Sequence, residues 1–341
     1  MLRLASCMLL CATSRAFRSS LRAFRSPTRL MGGLSDHDKF LFDLNGYIVV
    51  RGALGGDEVA ELNRCLDAHG HEAVSRSSAA LKNARRAGAF GAKGARRDLG
   101  GMLSWEEDAF RKLLAHPKLA PYLVGLLGEG YRLDHQPMAL LQDAESEGFG
   151  LHGGPLSGAE HAFNPELQYR CVNGRPWNSL VAMACHLVDA PPGAGGFCVV
   201  KGSHKLNFAV PAEVCAGLDA DFVRDHVAQV ETKAGDVVLF SEATVHGALP
   251  WTMDYERRLA LYRFSGPNYA YGRAYLNEWG GSDTLDKCTP QQRAVLAPPF
   301  APRLERAMTT AHGDAGPEPV AYERAKEKKA HDVKVFGTSY F

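Results

Sequence analysis

Two histidines, His152 and His246, lie in settings that could do chemistry. His152 sits in Gly150-Leu-His-Gly-Gly154, and His246 in Thr244-Val-His-Gly247. Each follows a β-leaning run and precedes glycine, which lets a backbone turn tightly and approach a bound group. Two neutral imidazoles from different strands suit a divalent first-row metal. Read alone, such a histidine is more often an ordinary hydrogen-bonded residue at a strand end. The neighbours change that reading. Eleven residues after His246 comes Arg257, and then Arg258-Leu-Ala-Leu-Tyr262. A guanidinium is a planar fork that matches a carboxylate. A histidine near the end of one strand and an arginine on the next can share a cavity.

The elements that would position these residues follow from pattern. Gly46–Arg51 is a short β-rich run, and residues 57–69 have apolar side chains at helical spacing behind early acids. Ser104 and Glu107 have the spacing of a capping box, which predicts a helix continuing over 105–115. A second helix is expected over 117–127, ended by Gly128. After Gly130 the character changes to short β-leaning runs at 132–142, 179–189, 196–200, 226–231, 236–240 and 258–265. Gly, Pro, Asn and Asp punctuate them. Short strands after an early helical part predict a mainly β fold with helices packed outside it.

Composition bounds the classes. The 341 residues are 45% hydrophobic and 23% charged, which is ordinary globular usage and excludes wholesale disorder. No run of 18 apolar residues exists, so no membrane-spanning helix is expected. The 39 Lys+Arg against 38 Asp+Glu argue against a nucleic-acid binder held by bulk charge. Residues 1–35 carry six arginines, six serines, no lysine and no acid. That composition describes an organelle transit segment and leads to a mitochondrial expectation, with plastid targeting or secretion as alternatives. The expected organisation is a targeting segment at 1–35, a mainly β domain with N-terminal helices at 36–300 and a peripheral, Pro-rich then charged tail at 301–341. The eight cysteines contain no C-x-x-C, so a cysteine zinc site is not expected. They read as small core residues.

From Asp38 to Pro267 the chain resembles the phytanoyl-CoA dioxygenase family of non-haem Fe(II)/2-oxoglutarate oxygenases. The marks are Phe42-Asp-Leu-Asn-Gly-Tyr-Ile-Val-Val-Arg51, Leu187-Val-Asp189 with Gly195-Gly196, Gly202-Ser-His-Lys205, Ala234-Gly-Asp-Val-Val-Leu-Phe240, and His246 with Arg257. The resemblance implies a double-stranded β-helix, or cupin-like jelly roll. It implies Fe(II) held by His152 and His246, and 2-oxoglutarate as cosubstrate with its distal carboxylate on Arg257. Arg258 is the alternative, because a one-residue slip in register exchanges the faces of a strand. The family often places an amide on the strand before the first histidine, so Gln136 is a candidate cosubstrate contact. Asn178, with Ser179, is another. Trp251 is expected either in the pocket wall or in the core. His204 is expected to fix a turn.

One departure bears on the chemistry. The family pattern is His-x-Asp, whereas this chain reads His152-Gly153-Gly154. The carboxylate of the facial triad is absent from its usual place. The resemblance then leaves three readings. Gly154 opens a position for chloride, as in related halogenases. Alternatively, another carboxylate substitutes: Glu242, or Glu160 or Asp143 from loops. In the third, the iron is held by two histidines and the cosubstrate, or the jelly roll is a non-catalytic binding protein. Glu242 lies four residues before His246, and four residues of strand span about 13 Å, which makes a shared metal strained. The substrate expected is a small organic or acyl molecule. The basic run 82–97 is expected to be a solvated loop, or else a lid for an anionic, CoA-linked one.

Overall fold

The computed structural model describes residues 34–78, 88–158, 160–272, 282–299, 307–312, 316–321 and 325–338. Residues 1–33, where a targeting segment is expected, and Arg85, Arg86 and Trp279 lie outside the described residues.

Two antiparallel sheets form the body. The larger has seven strands in the order Tyr47–Val50, Val237–Ser241, Val181–His186, Arg257–Ser265, Arg132–Gln142, Arg97–Leu99 and Val74–Ser75. The smaller has four, in the order Ala228–Gln229, Gly196–Val199, His246–Leu249 and Phe149–His152. The period of two along a strand sends alternate side chains to opposite faces. On Val181–His186, Val181, Met183 and Cys185 join the helical side of the larger sheet. Ala182 and Ala184 join Val238, Phe240, Leu140 and Leu259 against Phe197 and Val199 of the smaller sheet. Two facing sheets with one shared apolar interior are the jelly-roll arrangement that the resemblance implies.

Helices cover the outer face of the larger sheet. Asp36–Asn45 begins with a capping box from Ser35 and Asp38. It ends at Gly46, whose φ is +84°. Gly56–His69 buries Leu62, Cys65 and Leu66, and Ala120–Leu127 buries five of its eight residues. Each buried leucine contributes about 1.5–3 kcal/mol relative to its exposed state.

Several sequence expectations are corrected. No helix runs from 105 to 115. Arg111 donates to the carbonyls of Leu103, Trp105 and Glu106, so the guanidinium takes acceptors that a helix would have used. Ser104 Oγ donates to Gly101 O instead of capping, and the helix starts only at Ala109, running to Lys112 and on as a 3-10 turn to the expected end at Ala115. His226 closes a helix, Ala220–His226, and the strand after it is only Ala228–Gln229. The tail contains a hairpin, Ala307–His312 with Gly316–Ala321, and Gly130 N donates to Thr309 O at 2.8 Å. Of the cysteines, Cys65, Cys185, Cys198 and Cys288 are buried, but Cys171 is exposed.

His186 shows what the interior demands of a titratable group. Its Nδ1 meets Thr232 Oγ1 at 2.8 Å, and burial followed by the positive field of Arg257 pushes its pKa from 6.5 down to about 3. The folded state therefore holds the ring neutral, while the unfolded chain takes up a proton below 6.5. The stability this contributes is complete above 6.5 and is lost as the pH falls toward 3. Melting temperatures measured across that interval should fall less steeply for His186→Asn than for the native chain. Parallel slopes would show that the ring is not held neutral.

Candidate metal and cosubstrate site

His246 opens one strand of the smaller sheet and His152 closes its neighbour, and the two are register partners. Their ring centroids are 4.1 Å apart. The Nδ1 of His152 faces Gly150 O at 3.1 Å, and the Nδ1 of His246 faces Thr244 O at 2.7 Å. A carbonyl only accepts, so each Nδ1 carries the hydrogen and each Nε2 keeps its lone pair. This is the tautomer a metal needs, fixed by the chain itself. Burial, reinforced by His246, pushes His152 down to about 3, and burial lowers His246 as well. Both rings are held neutral and ready to ligate.

Glu242 completes a group with them. One ligand atom from each of His152, Glu242 and His246 lies within 4.8 Å of the other two. Glu242 Oε2 is 3.7 Å from His246 Nε2. The 13 Å objection fails because residues 242–245 are not extended. Thr244 N donates to Ser241 O at 2.8 Å, closing a turn between the two strands. Glu242 Oε1 accepts from Arg263 Nε at 2.6 Å. Burial alone would raise the carboxyl, but the Arg263 guanidinium, paired with it, holds it down at about 2. The other two carboxylates do not join them. Asp143 is exposed and bridges to Arg97 at 3.3 Å, and Glu160 is exposed.

Arg257 is 2% exposed and lines the same cavity of about 90 Å³ as both histidines, Arg96 and Arg263. Its NH1 donates to Gln142 Oε1, across the strand pair where Arg257 faces Gln142. Gln142 in turn donates Nε2 to Glu147 O at 2.7 Å. The Arg257 Nε is buried without a partner. Burial, with Arg96 nearby, lowers its pKa to about 9. A buried guanidinium with spare donors is costly alone and suits an incoming carboxylate. Gly196, at φ +76°, makes the room: a Cβ there would stand 2.8 Å from Arg257 Nε. Arg258 points the other way and pairs with Asp67 at 2.6 Å and Glu256 at 2.7 Å.

Other candidates are not brought to this cavity. Gln136 is exposed, at an irregularity where the register with Arg257–Ser265 slips. Pro137, which lacks an N–H, falls at the same place. Asn178 donates Nδ2 to Leu126 O at 3.1 Å and so satisfies a carbonyl at the end of a helix. Trp251 is fully buried in a small core with Ala190 and Ala194. His204 is buried in the turn Ser203–Lys205, packed edge-on against Tyr169. Arg96 is not a solvated loop residue. It is 7% exposed and forks onto Asp98 at 2.8 and 3.2 Å. Gln142, Arg96 and Arg263 are the site residues that sequence patterns miss, since isolated polar residues within apolar or basic runs carry no spacing signal.

At Gly154 the backbone itself disfavours the family's carboxylate. Its φ is +94°, and Gly153 is at +95°. Side chains other than glycine's rarely adopt that conformation. An aspartate placed at 154 would be strained, although nothing lies closer than 3.5 Å to its Cβ.

Comparison with known proteins gives the family. The structure of HygX from Streptomyces hygroscopicus with nickel, 2-oxoglutarate and hygromycin B bound is similar over 72% of this chain and 92% of its own, at 20% identity and a TM-score of 0.56. HygX with iron bound is similar over 72% and 91%, at 20% identity and 0.54. At that identity the likeness is one of fold. No curated protein matches the sequence significantly. The family model described as phytanoyl-CoA dioxygenase matches residues 42–259. The chain belongs to the phytanoyl-CoA dioxygenase family and is an Fe(II)- and 2-oxoglutarate-dependent enzyme.

Proposed function

We propose that this protein hydroxylates a C–H bond of a small organic substrate, with His152 and His246 as metal ligands and Arg257 as the anchor of 2-oxoglutarate. The observation that supports this reading most is a single cavity. Two neutral imidazoles with free Nε2 atoms sit at one side, and a buried guanidinium with an unpaired Nε lines the same space. The donor set fits Fe(II), a cation served by imidazole and carboxylate. Bound there with 2-oxoglutarate, the iron supplies oxygen activation coupled to loss of carbon dioxide from the cosubstrate.

The chain's own residues do the rest. The carbonyls of Gly150 and Thr244 fix both imidazole planes. Gln142 holds Arg257 in register, so its remaining donors meet the cosubstrate's distal carboxylate as a fork. Phe197, Phe240, Leu259 and Leu261 line the cavity and exclude water, which strengthens that ion pair. A substrate held against this apolar wall has its C–H bond near the metal without competing solvent.

Hydroxylation is favoured over halogenation by Glu242. A halide needs an anion-free position beside the histidines, and a carboxylate already stands 3.7 Å from His246. With that position taken by a carboxylate, no place beside the histidines is left open for a halide. Succinate release from labelled 2-oxoglutarate, measured with Fe(II) and without any added substrate, should be detectable and indifferent to chloride. A chloride-dependent product would overturn the hydroxylase reading, and no succinate at all would overturn turnover.

Arg257→Lys keeps a charge but loses the fork. It should raise the KM for 2-oxoglutarate by at least tenfold, with kcat changed much less. Arg258→Lys, on the outer face, should leave both near their native values. Equal effects from the two variants would remove Arg257 from its assigned place.

The arginine-rich residues 1–35 support a reading as a mitochondrial transit segment ahead of a catalytic domain at 36–300. Imaging the chain with and without those residues tests it; an unchanged location removes the idea.

A further inference from the structure

We propose that Glu242 is the third protein ligand of the iron, a carboxylate supplied from the turn before His246 in place of the one missing at Gly154. This rests on the Fe(II)-dependent reading above and names a residue that the family's His-x-Asp pattern does not contain.

The geometry is built by the chain and not by the ion pair alone. Four hydrogen bonds, three to backbone carbonyls and one to a side-chain hydroxyl, pin the turn. Glu242 N donates to Leu180 O at 3.0 Å, Thr244 N to Ser241 O at 2.8 Å, Val245 N to Ser203 Oγ at 2.7 Å, and Gly154 N to Ala243 O at 3.0 Å. The last of these ties the turn directly onto the segment that lacks the carboxylate. The two glycines permit the approach. A Cβ at Gly153 would stand 2.5 Å from Thr244 O and 2.9 Å from Glu242 O. Any side chain there pushes the Glu242 turn away. The same glycine pair therefore removes the usual ligand and admits its replacement.

Glu242 is also divided in its duties. Oε1 is occupied by Arg263 Nε at 2.6 Å, while Oε2 faces His246 Nε2 at 3.7 Å. Two ligand atoms each about 2.1 Å from a metal and at right angles stand about 3 Å apart. A closure of roughly 0.7 Å brings Oε2 and Nε2 to that spacing. The carboxylate then ligates through one oxygen, oriented by the arginine on the other. An outer partner of this kind is how metal sites fix a ligand's direction. The order along the chain becomes His, Glu, His, with the carboxylate inside the interval between the histidines but beside the second of them.

The competing explanation is that Glu242 is only the buried counter-ion of Arg263. Metal titration separates the two without any turnover. Full-length native protein and the variants His152→Ala, His246→Ala, Glu242→Ala and Glu242→Gln are titrated with Fe(II) anaerobically, and with Co(II) for its visible spectrum. Glu242→Gln keeps the shape and an oxygen for Arg263, so it guards against misfolding. The expected result is at least a tenfold loss of affinity in both Glu242 variants. A changed Co(II) spectrum in Glu242→Gln and partial recovery of Glu242→Ala by millimolar formate should accompany it. Native affinity and an unaltered spectrum in Glu242→Gln, with binding lost in the histidine variants, would overturn this inference and leave the iron reading intact. If native protein bound neither metal, the iron reading itself would fall.

Discussion

The site depends on one backbone juxtaposition: the pairing of His246 with His152 across the edge of the smaller sheet. Neither histidine alone has a reason to be neutral, oriented and buried. Register places the rings 4.1 Å apart, and the carbonyl two residues back along the chain from each histidine fixes its tautomer. Desolvation then keeps protons off both rings. The jelly roll makes this possible because its smaller sheet is antiparallel, so one strand ends where its neighbour begins. The same pairing sets Glu242, since the turn that starts the second histidine's strand also carries the acid.

The cavity is electrostatically demanding. Arg257, Arg96 and Arg263 line it, against Glu242 and the Asp98 that holds Arg96. Guanidiniums this buried are costly unless paired. Arg96 and Arg263 are paired within the chain, whereas Arg257 has only the neutral amide of Gln142 and a bare Nε. Arg257 and Arg263 share the strand's inward face, and the unmatched charge belongs to Arg257, while Arg258 beside it is satisfied outside by Asp67 and Glu256. A difference of one residue in register separates an anion anchor from a surface ion pair.

Much of this was legible in the sequence where a period or a spacing existed. The short apolar, β-rich runs around Val181–His186 and Val237–Ser241 give the strands, and glycine after histidine singles out His152 and His246. Arg257 against Arg258 required register, which a one-residue ambiguity leaves open. Glu242 was visible as a residue four places before His246, but its reach was misjudged because residues 242–245 read as strand and fold as a turn. Ser104 has the spacing of a cap, yet Arg111, seven residues on, takes the carbonyls that the helix needed. Gln136 is suggested by a family habit, and Asn178 by its place at a strand start after a Gly-Arg-Pro turn. A proline-linked slip and a helix end claim them instead. Local patterns predict local bonds. They fail where a distant side chain competes for the same backbone groups.

The glycines show why function here is written partly in missing side chains. Gly196 leaves the volume that the Arg257 guanidinium fills, and Gly153 leaves the volume that the Glu242 turn fills. Gly247 crosses the backbone of Phe149 too closely for any Cβ, which holds the two histidine strands together. Glycine costs conformational entropy at each position, about 0.5–1 kcal/mol relative to alanine in a regular element. Several such positions around one cavity are unfavourable for stability and are tolerated because each admits a charged group or a strand that the chemistry needs. At this mouth the backbone is thinned so that His152, Glu242 and His246 can converge from two neighbouring segments, and the departure at Gly154 is part of that convergence.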